Sequence, residues 1–427
     1  MISSYWTGLF NWLGNTAGDA SFAYIFALLV NAALATGGGQ TLSNSQLVAL
    51  AISVLFLWSV LNFLDIERIG WFNSIAVILQ IATILSLVTV VLALAPSLNS
   101  ASYVLTSYHN GTGFTQNFYV ILLSLLFPLF GFAGYDGPAH LAEETRGSLY
   151  AAPMGIVYTV IATGISGFVL ILALLFTMQS IENAIDSSSG NSAIEILVQT
   201  GGQQTACIFA CLLAVNIFFA GTSSITVTSR ILFALCRDKA TVFADKLSAI
   251  DPTFRSPINA VVFLFCVQAS LLLIPLNSDG GIEAFYTIVS ITVVGLQISY
   301  FVPLFWKTFT FIWPAHHAKI DNQLQTSEMN LGVWSFSLSL ISVSWLFFTT
   351  VLLLLPSTYP VTSKTMNYTI VPVGAVVLFG ILNWELNSKF YFRGPGRSRF
   401  VQGSEMGSRP NSSLSNREIE PLILGNL

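Results

Sequence analysis

The sequence predicts an all-α polytopic membrane protein with about ten transmembrane helices. Of its 427 residues, 54% are apolar and only 8% are charged, whereas soluble globular chains usually carry about 25% charged residues. Long stretches contain almost no charge, and about 20 such residues cross the hydrocarbon layer as a helix. This composition disfavours a soluble enzyme, a nucleic-acid-binding protein and a disordered scaffold.

Ten apolar stretches are long enough to span the bilayer. Apolar side chains surround the helix in most of them, as expected where lipid and neighbouring helices replace water. Residues 1–390 are therefore predicted to form a membrane domain, and the Gly-, Pro-, Ser- and Arg-rich residues 391–427 a disordered cytoplasmic tail. The predicted spans lie near residues 8–34, 46–64, 71–95, 118–136, 154–178, 204–229, 257–275, 284–306, 332–355 and 368–386.

The basic residues predict the orientation of these spans. If the N-terminus is cytoplasmic and the spans alternate, fifteen of the sixteen Lys and Arg residues lie on the cytoplasmic side, and only Lys364 lies outside. This distribution follows the positive-inside rule. The glycosylation sequons at Asn110 and Asn367 then lie outside, and the sequon at Asn411 lies inside. We expect an integral, multi-pass protein of the plasma membrane or an organelle membrane.

An acidic residue lies near the middle of the first predicted span. Asp19 follows Gly14 and Gly18 in a stretch of small and polar residues, and an acid at this depth costs about 2.5–3.5 kcal/mol on insertion scales. One interpretation is close helix packing through the two glycines, with Asp19 hydrogen-bonded to a neighbouring helix. The other is a role for Asp19 in a permeation path or in proton coupling.

The fourth predicted span contains several helix breakers. Pro128 and Pro138 each lack an amide donor, and Gly131, Gly134 and Gly137 allow dihedral angles that other residues avoid. Irregular backbone at membrane depth is tolerated where it lines a cavity or is buried in protein, and there it can bind an ionic substrate. The alternative is an ordinary proline kink.

Polar residues follow this span and also end the sixth. His140, Glu143 and Glu144 lack the ligand spacing of a metal site, and the two glutamates are interpreted as gating residues that pair with cytoplasmic arginines, or as helix caps. The second group, around residues 221–229, includes Thr222, Ser223 and Ser224. These hydroxyls either line a solute path or bond back to their own helix carbonyls.

No metal or organic cofactor is predicted. No His or further Cys lies near the four cysteines at metal-ligand spacing, and no nucleophile–base pair or cofactor motif indicates an enzyme. The cysteines are interpreted as small packing residues. They are Cys207, Cys211, Cys236 and Cys266.

Several ordered motifs resemble the amino acid/choline transporters of the amino acid–polyamine–organocation (APC) superfamily. Residues 134–145 look like the family's G-Y-D-x-x-x-H-x-x-E-E-T, and residues 237–239 look like its R-D-K/G loop. Residues 257–260 resemble its P-x-N-A helix entry, and residues 300–303 its Y-x-x-P helix. Together with the closing N-L-G and M-N-Y-T segments, these motifs extend to about residue 390.

The resemblance implies a leucine-transporter-like fold built from two inverted five-helix repeats and two extra helices. The span at 118–136 is then similar to the family's sixth helix, and the span at 204–229 to its eighth. The span at 8–34 is similar to the family's third helix, so the first repeat is expected to be incomplete. The glycine-rich break of the family's first helix has no counterpart in these 427 residues.

The resemblance also implies a function: secondary-active transport of amino acids or related small amines, such as 4-aminobutyrate or a choline-like compound, coupled to a proton or a sodium ion. The alternative is a non-transporting, truncated or regulatory membrane protein derived from such a permease. The sequence predicts no oligomeric state.

The resemblance assigns candidate roles to particular residues. The backbone carbonyls of residues 131–134 are expected to receive the substrate ammonium, and Asp19 and Asp136 are candidates for the titrating group. The candidate substrate-binding residues are Gly131, Phe132, Ala133, Gly134, Tyr135, Asp136, Thr222, Ser223 and Ser224, and the candidate coupling or gating residues are Asp19, Glu143 and Glu144.

Overall fold

A computed structural model describes the chain at residues 2–64, 66–142, 145, 147–185, 187, 190–254, 256–277, 282–312, 331–362 and 365–392, except for the side chains of residues 66–69, 277 and 282–284. Within these ranges the secondary structure is helical and contains no strand. The predicted tail lies outside the described residues from residue 393 onward.

Nine helices in the described part of the chain are long and apolar enough to span a membrane. They agree with nine of the ten predicted spans, and the all-α polytopic fold is confirmed. In chain order they are α1 (Ile2–Thr36), α2 (Asn44–Leu61), α3 (Ile66–Leu94), α8 (Ser148–Thr177), α10 (Ser192–Arg237), α12 (Ile258–Leu272), α13 (Ile282–Ile312), α14 (Trp334–Leu354) and α15 (Ile370–Asn383).

The fourth predicted span is divided into short segments. Further short helices lie in the connections and at the end of the domain. These elements are α4 (Ala101–Thr106), α5 (Asn117–Ser124), α6 (Phe127–Gly131), α7 (Gly137–His140), α9 (Ile181–Ile185), α11 (Ala244–Leu247) and α16 (Lys389–Tyr391).

Helix α1 lies at the centre of the domain. In its most apolar stretch 61% of the residues are buried, compared with 6% in α8. The reason is the size of its side chains: a Cβ added at Gly14 would lie 2.7 Å from the amide nitrogen of Leu296, and one added at Gly18 would lie 3.2 Å from Cγ2 of Thr292. Small residues thus let the backbones of α1 and α13 approach closely, as the packing interpretation of the two glycines predicted.

The core surrounds α1 along its length. One apolar cluster joins α1 to α2, α10 and α13 and contains the fully buried side chains of Trp58, Ile225 and Ile288. A second cluster joins the C-terminal half of α1 to α3, α8 and α10 through residues such as Val91 and Phe209. Polar groups on α1 are therefore held in fixed positions relative to these five helices.

Helix α10 is the longest element, with 46 residues, and it bends at Gly202, where φ is 78° and ψ is 176°. Its N-terminus is capped by Asn191, whose side-chain oxygen accepts hydrogen bonds from the amides of Ala193 and Ile194. Its C-terminal half packs beside α1 and carries the hydroxyl residues at 222–229.

Candidate functional site

The backbone is interrupted where the glycines and prolines predicted it. Regular helix ends at Gly131 and resumes at Gly137, and we call residues 131–136 the helix break. Gly134 has φ = +80°, a conformation that L side chains rarely adopt. Pro128 lies in the first turn of α6, after a turn at residues 125–126, and Pro138 lies in the first turn of α7, after the helix break. In both places the missing amide costs no helical hydrogen bond. The prolines thus begin helical segments, and the glycines supply the irregular turn.

One side of the helix break is open. Gly131 and Gly134 are exposed, and an added Cβ would meet no atom within 4 Å at either position. On other sides the segment touches the domain: the ring of Phe130 lies 6.2 Å from that of Phe22 on α1, and Phe132 approaches Gly164 on α8. The main chain of the break is therefore accessible to a small molecule while its ends are anchored.

The side chain of Asp136 fixes the helix break to two long helices. It is buried and accepts hydrogen bonds from Nδ2 of Asn11 on α1 and from the hydroxyl of Tyr300 on α13, both at 2.8 Å. Nε2 of His140 on α7 lies 2.9 Å from its Oδ2. We call these four residues the Asp136 network. Because three protein donors surround the carboxylate, its position ties the break to the bundle.

Two further contacts extend the network. Asn11 also donates to Oγ of Ser299 at 3.2 Å, and the ring of Tyr135 packs against that of Tyr300 with centroids 4.9 Å apart. The sequence reasoning did not single out Asn11, Ser299 or Tyr300 as site residues. The sequence signal for Asn11 is its spacing from Asn15 and Asp19, which repeats every four residues on one helix.

The second candidate acid, Asp19, lies in a separate cluster. Its side chain is fully buried, and it accepts hydrogen bonds from Oγ of Ser224 on α10 and from Nε2 of Gln268 on α12, the latter at 2.5 Å. We call these three residues the Asp19 cluster. Asn11 and Asp19 are eight residues apart, which is about 12 Å along α1, so one helix carries both polar sites.

The hydroxyl residues of α10 have different partners. Thr222 bonds back to the carbonyl of Phe218 at 3.0 Å, whereas Ser223 donates to Oδ1 of Asn73 on α3 at 2.6 Å and also to its own helix. Ser224 contacts Asp19. Thr222 and Ser223 thus bond back to their own helix, as one alternative predicted, and Ser223 and Ser224 also join α10 to neighbouring helices. Their described side-chain hydrogen bonds reach α1, α3 and α10 and not the helix break.

Asn62 joins α2 to the same part of α10. Its Nδ2 donates to the carbonyl of Thr222 at 3.0 Å, and its Oδ1 accepts from Oγ1 of Thr226 at 2.6 Å. The backbone carbonyl of Asn62 accepts in turn from Oγ of Ser256 at 2.9 Å. These bonds satisfy the buried amide and position the hydroxyl face relative to α1. Glu143 and Glu144, the remaining candidate gating residues, lie outside the described residues.

An apolar groove of about 440 Å³ lies elsewhere, between the C-terminal end of α1 and α10. Cys207 and Cys211 line it, and Sγ of Cys207 lies 3.4 Å from the carbonyl oxygen of Ala33. Its walls are otherwise small and aliphatic, including Val30 and Leu34. The groove lacks the polar groups that an amine or carboxylate substrate needs, so it is not a candidate site for such a solute.

A bundle of apolar helices with one interrupted helix is typical of secondary transporters. The comparisons with known proteins agree. Residues 1–378 match the amino acid permease family, and the chain belongs to that family. It is therefore an integral, multi-pass membrane protein of the transporter class, and its relatives indicate a permease and not an enzyme.

Three relatives illustrate the relationship. The chain is 28% identical over 414 residues to amino-acid permease BAT1 of Arabidopsis thaliana, covering 92% of this chain and 77% of that protein. It is 29% identical over 410 residues to the BAT1 homolog of Oryza sativa subsp. japonica, with 92% and 76% covered. It is 24% identical over 391 residues to amino-acid permease 2 of Neurospora crassa, with 91% and 70% covered.

Proposed function

We propose that the protein is a secondary-active transporter of amino acids or related small amines, with the substrate bound at the helix break. The open main chain between Gly131 and Gly134 carries this proposal, because it offers carbonyl groups to an ammonium at membrane depth. The coupling ion is a proton or a sodium ion. Amino acids, 4-aminobutyrate and choline-like compounds are the solute classes to be compared.

In this proposal the residues of the break have distinct roles. Gly131, Phe132 and Ala133 present their carbonyls to the ammonium, and the carbonyl of Gly134, which accepts from the amide of Gly137 at 3.2 Å, adds its second lone pair. The half-buried ring of Tyr135 forms a wall. Asp136 shapes the site by holding the break against α1 and α13. Thr222, Ser223 and Ser224 on α10 are proposed as polar groups of the opposing wall, although their described side-chain hydrogen bonds reach α1, α3 and α10 itself.

The direct test is uptake of a panel of labelled amines into vesicles that contain the purified full chain. We expect uptake of at least one amino acid or related amine above that of protein-free vesicles. If no member of the panel enters, a non-transporting membrane protein becomes the better description.

Replacement of Gly134 tests the site itself. We expect Gly134→Leu to abolish uptake while surface expression stays at the wild-type level. A side chain at this positive φ costs about 1–2 kcal/mol and displaces the neighbouring carbonyls. Gly137→Ala is the control, since Gly137 has room for a Cβ and its φ is not positive. Unchanged uptake by Gly134→Leu would contradict the proposed site.

The proposed orientation, with a cytoplasmic N-terminus, makes a separate prediction about glycosylation. Asn110 lies in an exposed loop, and its Oδ1 accepts from the Thr112 hydroxyl at 2.8 Å. The Nδ2 atoms of both asparagines donate to backbone carbonyls at 2.7 Å, from Asn110 to Phe114 and from Asn367 to Leu353. Asn367 differs because it is half-buried and Thr369, the hydroxyl residue of its sequon, is fully buried. We therefore expect Asn110 alone of these two to be modified.

Expression in a eukaryotic cell checks this prediction. Digestion with a peptide N-glycosidase is expected to increase the electrophoretic mobility of the wild type and of Asn367→Gln, and to leave Asn110→Gln unaffected. A wild-type chain that the glycosidase does not shift would contradict the orientation.

A further inference from the structure

The Asp19 cluster contains a buried acid without a positive partner among the described contacts. Asp19 is 0% exposed, and its hydrogen-bond partners Ser224, Thr228 and Gln268 are all neutral. A carboxylate removed from water costs several kcal/mol unless a counter-charge compensates it. The neutral donors offset part of this cost, and a proton bound by the carboxyl group removes it.

The helices packed around Asp19 do not supply a counter-charge nearby. The sequences of α2 and α12 contain no Asp, Glu, Lys, Arg or His, and Cys266 is the titratable residue of α12. On α10 the next basic residue after Ser224 is Arg230, which is six residues or about 9 Å further along the helix. On α13 the residue beside Gly18 is Thr292, and the ionisable Tyr300 is bonded to Asp136.

Gln268 has an unusual bonding pattern. It is fully buried, its Nε2 donates to Oδ2 of Asp19, and its Oε1 has no hydrogen-bond partner in the described structure. Because Oε1 is not bonded elsewhere, a 180° rotation of the side-chain amide breaks no hydrogen bond of Oε1. It then presents an acceptor to Asp19 in place of a donor. An amide in this position can thus bond to either protonation state of the acid.

From these observations we propose that Asp19 is the proton-carrying residue of the transporter and that Gln268 is its positioning partner. In the loaded state the carboxyl holds the proton on Oδ2 and donates it to Oε1 of Gln268. On release the proton leaves to water and the carboxylate accepts from Nε2. A single carboxyl group with neutral neighbours suits a proton, which needs one acceptor. Among the described residues, no group of three or more His, Cys, Asp or Glu side chains is placed to hold a metal ion. The inference rests on the proposed transport function for its coupling role.

Transport measurements in proteoliposomes test the coupling role. A pH difference of one unit is worth about 1.4 kcal/mol per proton, so it should accumulate the transported amine about tenfold in wild-type vesicles. Asp19→Asn mimics the neutral acid. We expect it to exchange labelled for unlabelled amine across the membrane, but to show no accumulation and no uptake of protons reported by an enclosed pH dye.

Thr16→Val is the matched control for this experiment. Thr16 lies one turn before Asp19, is 2% exposed, and has a hydroxyl without a partner in the described structure. We expect this variant to exchange and to accumulate the amine as the wild type does. Accumulation by Asp19→Asn in response to the pH difference would overturn the inference, as would wild-type accumulation driven by sodium alone. Wild-type vesicles that show no exchange at all would instead contradict the proposed function.

An infrared measurement tests the protonation itself without transport. We expect the wild-type protein to show a C=O stretching band of a protonated, hydrogen-bonded carboxylic acid that is missing in Asp19→Asn. Gln268→Leu removes the acceptor, so the band is expected to move to the higher frequency of a free acid. Identical carboxylic acid bands in the wild type and Asp19→Asn would show that Asp19 is ionised, and the proposal would be wrong. If Asp19→Asn does not fold, the band shift in Gln268→Leu still tests whether Asp19 is protonated.

Discussion

Replacing Asp136 by alanine is expected to abolish uptake and to destabilise the membrane domain by about 3–5 kcal/mol, the usual cost of removing one partner from a buried charged network. The change leaves the donors of Asn11 and Tyr300 without their acceptor, and each orphaned buried group costs about 1–3 kcal/mol. It also frees the helix break from both α1 and α13. Uptake by reconstituted protein and thermal unfolding in detergent measure the two effects.

A conservative series separates positioning from direct substrate binding. Asp136→Asn keeps one acceptor oxygen, and Tyr300→Phe removes one donor from α13 while the carboxylate stays. If Asp136 acts by holding the break, both variants lower the maximal rate of uptake, and Asp136→Ala lowers it further. Normal uptake by Tyr300→Phe, combined with a raised KM alone in Asp136→Asn, would show that the carboxylate binds the substrate ammonium directly.

An exposed ion pair provides the control for this series. Glu385 bonds to Lys389 at 3.0 Å, and both side chains are more than half exposed. Such surface pairs contribute about 0–1 kcal/mol, so Glu385→Gln is expected to unfold at nearly the wild-type temperature. Comparing the unfolding temperatures of Asp136→Ala and Glu385→Gln tests whether burial and the three hydrogen-bond partners of Asp136 cause the predicted loss of stability.

The fold followed from the sequence because the bilayer leaves the chain few choices. Backbone groups in lipid must be paired within the protein, so long apolar stretches become helices. The same requirement made the interruption visible in the sequence, because three glycines and two prolines close together disfavour one continuous helix. The sequence did not indicate that Pro128 and Pro138 begin helical segments, because that depends on where each preceding turn ends.

The partners of the two acids could not be predicted in the same way. Asn11 lies 125 positions from Asp136 along the chain, and Gln268 lies 249 positions from Asp19. Which residues meet across such separations depends on how the helices pack, and periodicity along one helix does not contain that information. Intramembrane Asp19 was recognised because its burial is costly, whereas neutral Gln268 lies unmarked in an apolar helix.

A second large loss of stability is expected when the close contact between α1 and α13 is disturbed. A Cβ at Gly14 would lie 2.7 Å from the amide nitrogen of Leu296 and 3.0 Å from the carbonyl oxygen of Thr292. From the other side, a Cβ at Gly295 would lie 2.8 Å from Cα of Gly14. Overpacking a tight contact typically costs about 1–3 kcal/mol, and here the atoms that must move belong to the backbone. We expect Gly14→Ala to lower the unfolding temperature strongly.

A graded series makes this expectation specific. At Gly18 the nearest atom to an added Cβ is Cγ2 of Thr292 at 3.2 Å, which belongs to a side chain, and at Gly374 on α15 nothing lies within 4 Å. Gly18→Ala should therefore be milder than Gly14→Ala. Gly374→Ala should be neutral or stabilising by about 0.4–1 kcal/mol, because alanine restricts the unfolded chain. Equal unfolding temperatures for the three variants would contradict the close approach of α1 and α13.

The same series connects stability with function. Asn11 lies one turn before Gly14, and it reaches both Asp136 and Ser299 from α1. If α1 is pushed away from α13, these bonds lengthen and the helix break loses its anchor. We therefore expect uptake per folded molecule to fall in Gly14→Ala and to stay at the wild-type level in Gly374→Ala. Loss of stability in Gly14→Ala with full uptake by the folded molecules would show that the Asp136 network tolerates movement of α1.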